Sequence, residues 1–336
     1  MATIKEVARR AQVSVGTVSN VLSGLPTVSA ELRERVQRAM AEMQYQPSHI
    51  ARSLKLKHTE TLALVISDIM NPFFSMVVRG AEDAAAERGY MLSIFNTDDD
   101  IAREQKICQI LTARRIDGLL LVPALEQGDD AHVRRLMNLG TPVVYLDRAP
   151  VDAEIDCVIV DGKKGVAKGV KHLIEQGAKR IVYVGGHKGQ FNAVERFSGY
   201  QAAMKAAGLP QDPELVWEGD FRQESGYQLA MERLKVVKPD AVITGNLPVG
   251  LGVLKAMGEL GLETPRDFLM VTFDYLDILD SFRPRLTCVA QPAYQLGYRG
   301  VTRLMEKIAN RDCPPQVIRL DAEIMMGETS IPVRKK

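Results

Sequence analysis

The chain has 336 residues, 46% of them hydrophobic and 25% charged, with a net charge of +1. It opens with no basic-then-apolar leader and contains no run near eighteen apolar residues, which argues against an exported solute-binding protein or a membrane-spanning chain and predicts a cytoplasmic one. The near-neutral total conceals an asymmetry: residues 1–60 hold nine Lys and Arg against five acids, net +4, and the remainder holds 34 against 37, net −3.

Thr3-Ile4-Lys5-Glu6 is a capping box, in which hydroxyl and carboxylate each satisfy an orphan backbone donor, and it predicts a helix from about Ile4. Val7, Ala8 and Ala11 recur at helical spacing, Gln12-Val13 makes a turn, and Ser14 is an N-cap for a second helix to about Leu22. Val18, Val21 and Leu22 are its expected buried positions. The other face carries Val15, Gly16, Thr17, Ser19 and Asn20, small or able to hydrogen bond, as suits a helix meeting base edges in a major groove. Ser29 caps a third helix with an apolar stripe of Leu32, Val36, Ala39 and Met43. Short Ala/Val helices by themselves also fit part of a helical bundle. The local positive charge is what points to phosphate.

The stretch from Pro47 to Lys57 is too short to be a stable helix alone and would fold only against a partner. In it, Leu54 lies between Arg52 and Lys55, the chemistry of an apolar wedge pushed between base steps while cations hold phosphates. An ordinary linker with one stray leucine is the plain alternative.

Beyond residue 60, β-branched apolar runs alternate with amphipathic helices in a parallel-sheet rhythm. Strands are expected at Leu62 to Ser67, Met91 to Phe95, Gly118 to Val122 and Val143 to Leu146, with helices at about Phe74 to Arg88, Ala102 to Arg114 and before Val143. The pattern recurs with strands at Cys157 to Val160, Arg180 to Val184, Glu214 to Trp217, Ala241 to Thr244 and Leu269 to Phe273. Between them, helices are expected to about Gln176, over Glu195 to Ala207, over Glu224 to Leu234 and to Leu260. Two similar lobes fit this length better than one large sheet.

A cleft at the carboxyl ends of such strands is a ligand site, because strand ends and helix N-termini there offer unpaired backbone groups. Phe73 and Phe74 follow the first strand, and Asp147, Asn246 and Asp274 follow three others, where a cleft would need hydroxyl acceptors. Each taken singly also fits a core aromatic, a surface ion pair or a loop cap. Catalysis has little support. Gly185-Gly186-His187-Lys188-Gly189 lacks the spacings of phosphate loops. The five histidines are scattered, and Cys108, Cys157, Cys288 and Cys313 show no C-x-x-C spacing. No catalytic residue, metal or cofactor is expected.

The run from Ala2 to Lys57, with Ile4-Lys5-Glu6-Val7-Ala8, Val13-Ser14, Thr17-Val18-Ser19, Tyr45-Gln46-Pro47 and Ala51-Arg52-Ser53-Leu54, strongly resembles the head and hinge of the LacI/GalR family of bacterial transcription regulators. The body resembles that family's effector domain, so the resemblance covers essentially the whole chain. It implies an α/β fold: a small all-α helix-turn-helix head and hinge helix, then a two-lobed, periplasmic-binding-protein-like body with two parallel sheets. The implied segments are a head at 1–46, a hinge and linker at 47–60, and an effector-binding and dimerisation domain at 61–336. Its first lobe would be about 61–160 plus 292–322, and its second about 161–291 plus 323–336, the chain crossing back near Gln291-Pro292 to a helix at about Ala293 to Ala309.

The resemblance further implies a nucleoid-associated homodimer on a pseudo-palindromic operator. Thr3, Ser14, Val15, Gly16, Thr17, Asn20, Ser29, Arg52, Leu54 and Lys55 are the expected DNA contacts, with Leu54 the wedge. For the effector it adds Gln190, Asn192, Arg196 and Phe221 to Phe73, Phe74, Asp147, Asn246 and Asp274. Many members carry Asp after the asparagine that ends the Ala241 strand; here Leu247-Pro248 follows. With neutral Gln190 and Asn192, this favours a carbohydrate-like effector, a purine or protein corepressor being the alternative. The direction of control and the operator sequence do not follow from the residues.

Overall fold

The computed structural model describes residues 2–23, 25–45, 58–124, 130–149 and 155–332. The chain divides into two compact units, residues 1–60 and 61–336. In the first, helices α1 (Ile4–Ala11), α2 (Val15–Leu22) and α3 (Ala30–Glu42) surround a core of Val7, Ala8, Ala11, Val18, Val21, Val36 and Ala39. The capping box forms: the Glu6 amide donates to Thr3 Oγ1 at 3.4 Å and the Thr3 amide to Glu6 Oε2 at 2.7 Å. Gln12, at φ +52°, ends α1 in the left-handed region. Leu22 is only half-buried, in contrast to its expected core position, as is Leu32. Three short helices enclose too little volume to cover every apolar side chain.

In the second unit, among the described residues, twelve strands form two six-stranded sheets. The first lobe runs β1 (Thr61–Ile66), α4 (Pro72–Ala86), β2 (Met91–Asn96), α5 (Ile101–Arg114), β3 (Gly118–Leu121), α6 (Ala131–Asn138), β4 (Val143–Leu146) and β5 (Cys157–Val160). The second runs α7 (Gly162–Glu175), β6 (Ile181–Gly185), α8 (Phe191–Ala206), β7 (Val216–Glu218), α9 (Gln223–Val237), β8 (Ala241–Thr244), α10 (Leu247–Leu260), β9 (Leu269–Phe273) and β10 (Thr287–Ala290). Then α11 (Ala293–Ala309) and β11 (Val317–Leu320) return to the first lobe, and β12 (Glu323–Met325) to the second.

The sheet orders β11-β5-β4-β3-β1-β2 and β12-β10-β9-β8-β6-β7 repeat one topology. Their edges differ: β11 joins β5 in parallel, whereas β12 joins β10 antiparallel. Helices cover both faces, so β1, β3, β4, β5, β6, β8 and β9 read as near-continuous apolar runs, as buried parallel strands do. The returning α11 packs on α4 so closely that a Cβ on Gly297 would stand 1.9 Å from the Val77 carbonyl oxygen, and one on Gly80 2.0 Å from that of Tyr294. Only glycine permits this approach of two backbones.

Candidate ligand cleft and nucleic-acid interface

In the first unit, three of the expected contact residues are helix caps. Thr3, Ser14 and Ser29 accept from the amides of Glu6, Thr17 and Leu32, the last two at 3.0 and 3.4 Å, and so occupy the N-termini of α1, α2 and α3. Such termini favour phosphate oxygens, through free amides and the positive end of the helix dipole. Val15 is 41% exposed on the first turn of α2, and Gly16 faces open space, where a Cβ would meet nothing nearer than Ser14 Oγ at 3.5 Å. Val15 and Gly16 are thus exposed, and Thr17 and Asn20 half-buried, beside the buried Val18 and Val21 of α2. Arg52, Leu54 and Lys55 lie outside the described residues.

In the body, the carboxyl ends of the strands of both lobes meet in a cleft lined by eighteen residues, among them all nine expected ones. Asp147 and Asp274 occupy equivalent places. Each follows a central strand, and its amide still donates to the neighbouring strand, Asp147 to the Val158 carbonyl at 3.0 Å and Asp274 to that of Val289 at 2.9 Å. Each then turns into the left-handed region, at φ +64° and +74°, at the strand end that opens on the cleft. Phe221 shares this conformation, at φ +64°. For a bulky side chain it costs on the order of 1–3 kcal/mol and must be held by its surroundings. The Phe221 carbonyl accepts from Asn246 Nδ2 at 2.8 Å, and its ring lies against Gly186, where a Cβ would stand 2.2 Å from Cε2. Gly186, the residue after β6, is therefore space for a cleft aromatic, which accounts for a phosphate-loop appearance without its spacing.

Arg196, on α8, is buried at 5% exposure, with its guanidinium over the Phe273 ring at 4.1 Å and Nη1 donating to the Gly245 carbonyl at 2.6 Å. Its charge lowers the Asp274 pKa, as do hydrogen bonds from Gln291 and the Leu247 amide, but burial is the larger effect and holds that carboxyl above the usual range. Across the cleft, Arg148 Nη1 donates to Asp99 Oδ1 at 2.6 Å and to the Pro123 carbonyl at 2.9 Å. Burial opposes the Arg148 charge, and the Asp99 carboxylate, aided by Asp147, more than offsets it. Three buried polar atoms here have no hydrogen-bond partner among the described residues: Arg148 Nε, Arg196 Nε and Gln190 Oε1. Native proteins rarely leave such groups unpaired without a reason.

Several expectations take a different form. Asn246 caps α10, its Oδ1 accepting from the Val249 amide at 3.0 Å, so this oxygen is engaged within the protein rather than standing open as an acceptor. Leu247, where the resemblance would have allowed an Asp, is buried with Leu279, Leu286 and Cys288. Phe73 and Phe74 pack edge to face at 5.1 Å and belong mainly to the core, reaching the cleft at its rim. Helix α8 begins at Phe191, not near Glu195, and α4 at Pro72 under an Asn71 cap. Sequence reasoning missed Ser67, Asp68, Asn71, Asp98, Asp99, Arg148, Asp220, Arg222 and Gln291. A signal was available for some: Asp98 and Asp99 follow β2 as Asp147 follows β4.

Residues 59–325 match the family described as periplasmic binding proteins and sugar binding domain of LacI family, and residues 3–48 match bacterial regulatory proteins, lacI family. The ribose operon repressor of Escherichia coli (strain K12) is 34% identical over 97% of this chain and 98% of its own. The structure of a transcriptional regulator CelR in complex with cellobiose is 30% identical, with a TM-score of 0.74 over 98% of this chain and all of that one. A lac repressor dimer bound to operator and the anti-inducer ONPF is 25% identical, with a TM-score of 0.87 over 98% of this chain and 99% of that one. No helix among the described residues is long and apolar enough to cross a membrane. With a helix-turn-helix unit, a two-lobed body and matches spanning both, the chain belongs to the LacI family of bacterial regulatory proteins.

Proposed function

We propose that the chain is a cytoplasmic repressor that grips a pseudo-palindromic operator as a homodimer, and that a neutral sugar in the cleft changes this grip. The observation that carries the effector reading is the set of buried cleft atoms without a hydrogen bond among the described residues: Arg196 Nε and Gln190 Oε1 from one lobe, and from the other Arg148 Nε, whose nearest carboxylate oxygen, Asp147 Oδ2, stands 3.8 Å away. Two guanidinium donors and an amide acceptor, beside the carboxylates of Asp147 and Asp274, match a molecule that both donates and accepts through hydroxyls. Six aspartates against three arginines in the lining disfavour an anionic ligand, such as a sugar phosphate. The aromatic residues Phe73, Phe74 and Phe221 in the lining offer apolar surface to the C–H groups of a sugar ring. A relative solved with cellobiose supports the same ligand class.

On the DNA, Val15, Gly16 and Asn20 are the specificity positions in this reading, Thr3, Ser14 and Ser29 bring helix N-termini to phosphates, and Leu54 is the wedge with Arg52 and Lys55 beside it. The test begins with selection of bound duplexes from a randomised pool at about 150 mM salt, where purely electrostatic binding is weakened. The selected palindrome is then titrated against neutral monosaccharides and disaccharides, sugar phosphates and purines. A neutral sugar that shifts operator affinity about 5- to 150-fold, the usual range of allosteric coupling, supports the reading. A shift produced only by phosphates or purines overturns the effector class. Leu54→Ala should weaken the selected site far more than random DNA; equal loss on both removes the wedge.

A further inference from the structure

The second lobe holds another cavity, of about 200 Å³, between α8 and the β6–β7 edge of its sheet. An engineered apolar cavity of about 150 Å³ is large enough to take benzene. The walls here are the rings of Tyr183 and Phe197, with Ala193, Val194 and Val216; Trp217 borders it from the sheet, its ring belonging to the core on the other face. The charged groups at its rim, Lys188 and Glu218, bond to each other, through Nζ to Oε2 at 3.0 Å and the Lys188 amide to Oε1 at 3.1 Å. The rim therefore presents a neutral pair to anything entering.

The second observation is polar. Tyr183 is 3% exposed, and its hydroxyl has no hydrogen-bond partner among the described residues, although its neighbour Tyr200 donates to the Ile181 carbonyl at 2.9 Å. A buried hydroxyl left unpaired is costly. The ring lies over Gly185, where a Cβ would stand 2.4 Å from Tyr183 Cε1, so the absence of a side chain at residue 185 is what lets the phenol stand there.

We propose that this cavity is a second ligand site, for an uncharged one-ring aromatic bearing a hydroxyl, with Tyr183 its hydrogen-bond partner. Aromatic walls favour a ring, the paired rim excludes a charged ligand, and the lone phenol selects a hydroxyl. The site is read from its own residues and does not depend on the sugar reading of the cleft. It is not isolated from that cleft: Gly186 lines this cavity, while its backbone bears on the Phe221 ring.

Calorimetric titration of the full-length protein reads binding at this site without a reporter group. Phenol is the probe. Titration should give a saturable change corresponding to one phenol per chain. Filling the space with Ala193→Leu, or separately with Val194→Phe should the first not fold, should weaken phenol about tenfold or more, since a buried ring is then displaced by protein carbon. Tyr183→Phe should weaken phenol severalfold and leave toluene unchanged. A linear, non-saturating response, filled variants that bind as the parent does, or a Tyr183→Phe protein that does not distinguish itself from the parent with phenol, would each overturn the proposal.

Discussion

Arg196 shows how one residue is fixed by three kinds of contact. The Phe273 face, the Gly245 carbonyl and the Asp274 field hold its guanidinium, while its Nε is left with no partner among the described residues. Arg196→Ala should abolish the ligand response and leave effector-free operator binding near that of the parent, because the head has its own core. Arg196→Lys should not restore the response, since an ammonium can neither stack flat on Phe273 nor present the same planar fork. The check is operator binding with and without ligand; a lysine variant that responds normally would reduce Arg196 to a simple charge. His172 acts on stability instead. It is buried, bonds Ser330 Oγ at 2.8 Å, and burial pushes its pKa below the ordinary 6.5, with Glu175 pulling weakly the other way. The unfolded chain therefore takes up a proton near pH 6.5 that the folded chain refuses until lower pH. Stability should be unaffected above that pH and fall as pH drops below it. Melting temperatures across this range should decline less steeply for His172→Gln.

At the scale of elements, close backbone approach makes a sharp demand. With its Cβ 1.9 Å from the Val77 carbonyl oxygen, Gly297→Val must push α11 off α4, at a cost of at least about 1–3 kcal/mol. Thermal unfolding of the body should move to lower temperature while the operator-reading unit keeps its own core; an unchanged transition would mean that α11 repacks freely. The elements most legible in the sequence were those whose physics is local. Parallel strands buried on both faces announce themselves as β-branched runs, and Thr3, Ser14 and Ser29 announced helix starts that formed as expected. The start of α8 was not legible, because Gln190 stands at the cap position with no side-chain hydrogen bond to the helix. Nor was the role of Arg148, while Asp98 and Asp99 carried only the signal of their place after β2. That place also fits a plain turn, and it is the left-handed backbone at residues 98 and 99, with the Asp99–Arg148 pair, that accompanies their arrival at the cleft. The expected cleft residues Gln190, Asn192, Arg196 and Phe221 came from resemblance alone, since no periodicity in α8 or in the loop before α9 singles them out.

At the scale of the whole body, the two lobes are drawn together. The cleft encloses only about 60 Å³, well below the about 150 Å³ that holds a benzene ring, so a ligand of that size or larger needs the cleft to widen, which parting of the lobes provides. Among the described residues, contacts that oppose parting include Asn192 Nδ2 donating to Asp147 Oδ2 at 2.8 Å, Arg319 pairing with Glu195 at 3.6 Å, and Phe191 packing against the core of the first lobe. The Arg319 pair is half-exposed and screened, and contributes little. The Asn192 bond is partly buried and made to a carboxylate, a type that contributes about 1.5–3 kcal/mol. Removing it should raise the population of parted lobes by about tenfold or more. Asn192→Ala should therefore enlarge the ligand-free radius of gyration measured by small-angle scattering and speed ligand association, while weakening the closed, ligand-bound form. If radius and association rate both stay at parent values, Asn192 is not the latch, and closure must rest on the apolar seat of Phe191, which Phe191→Ala would then expose by the same two measurements.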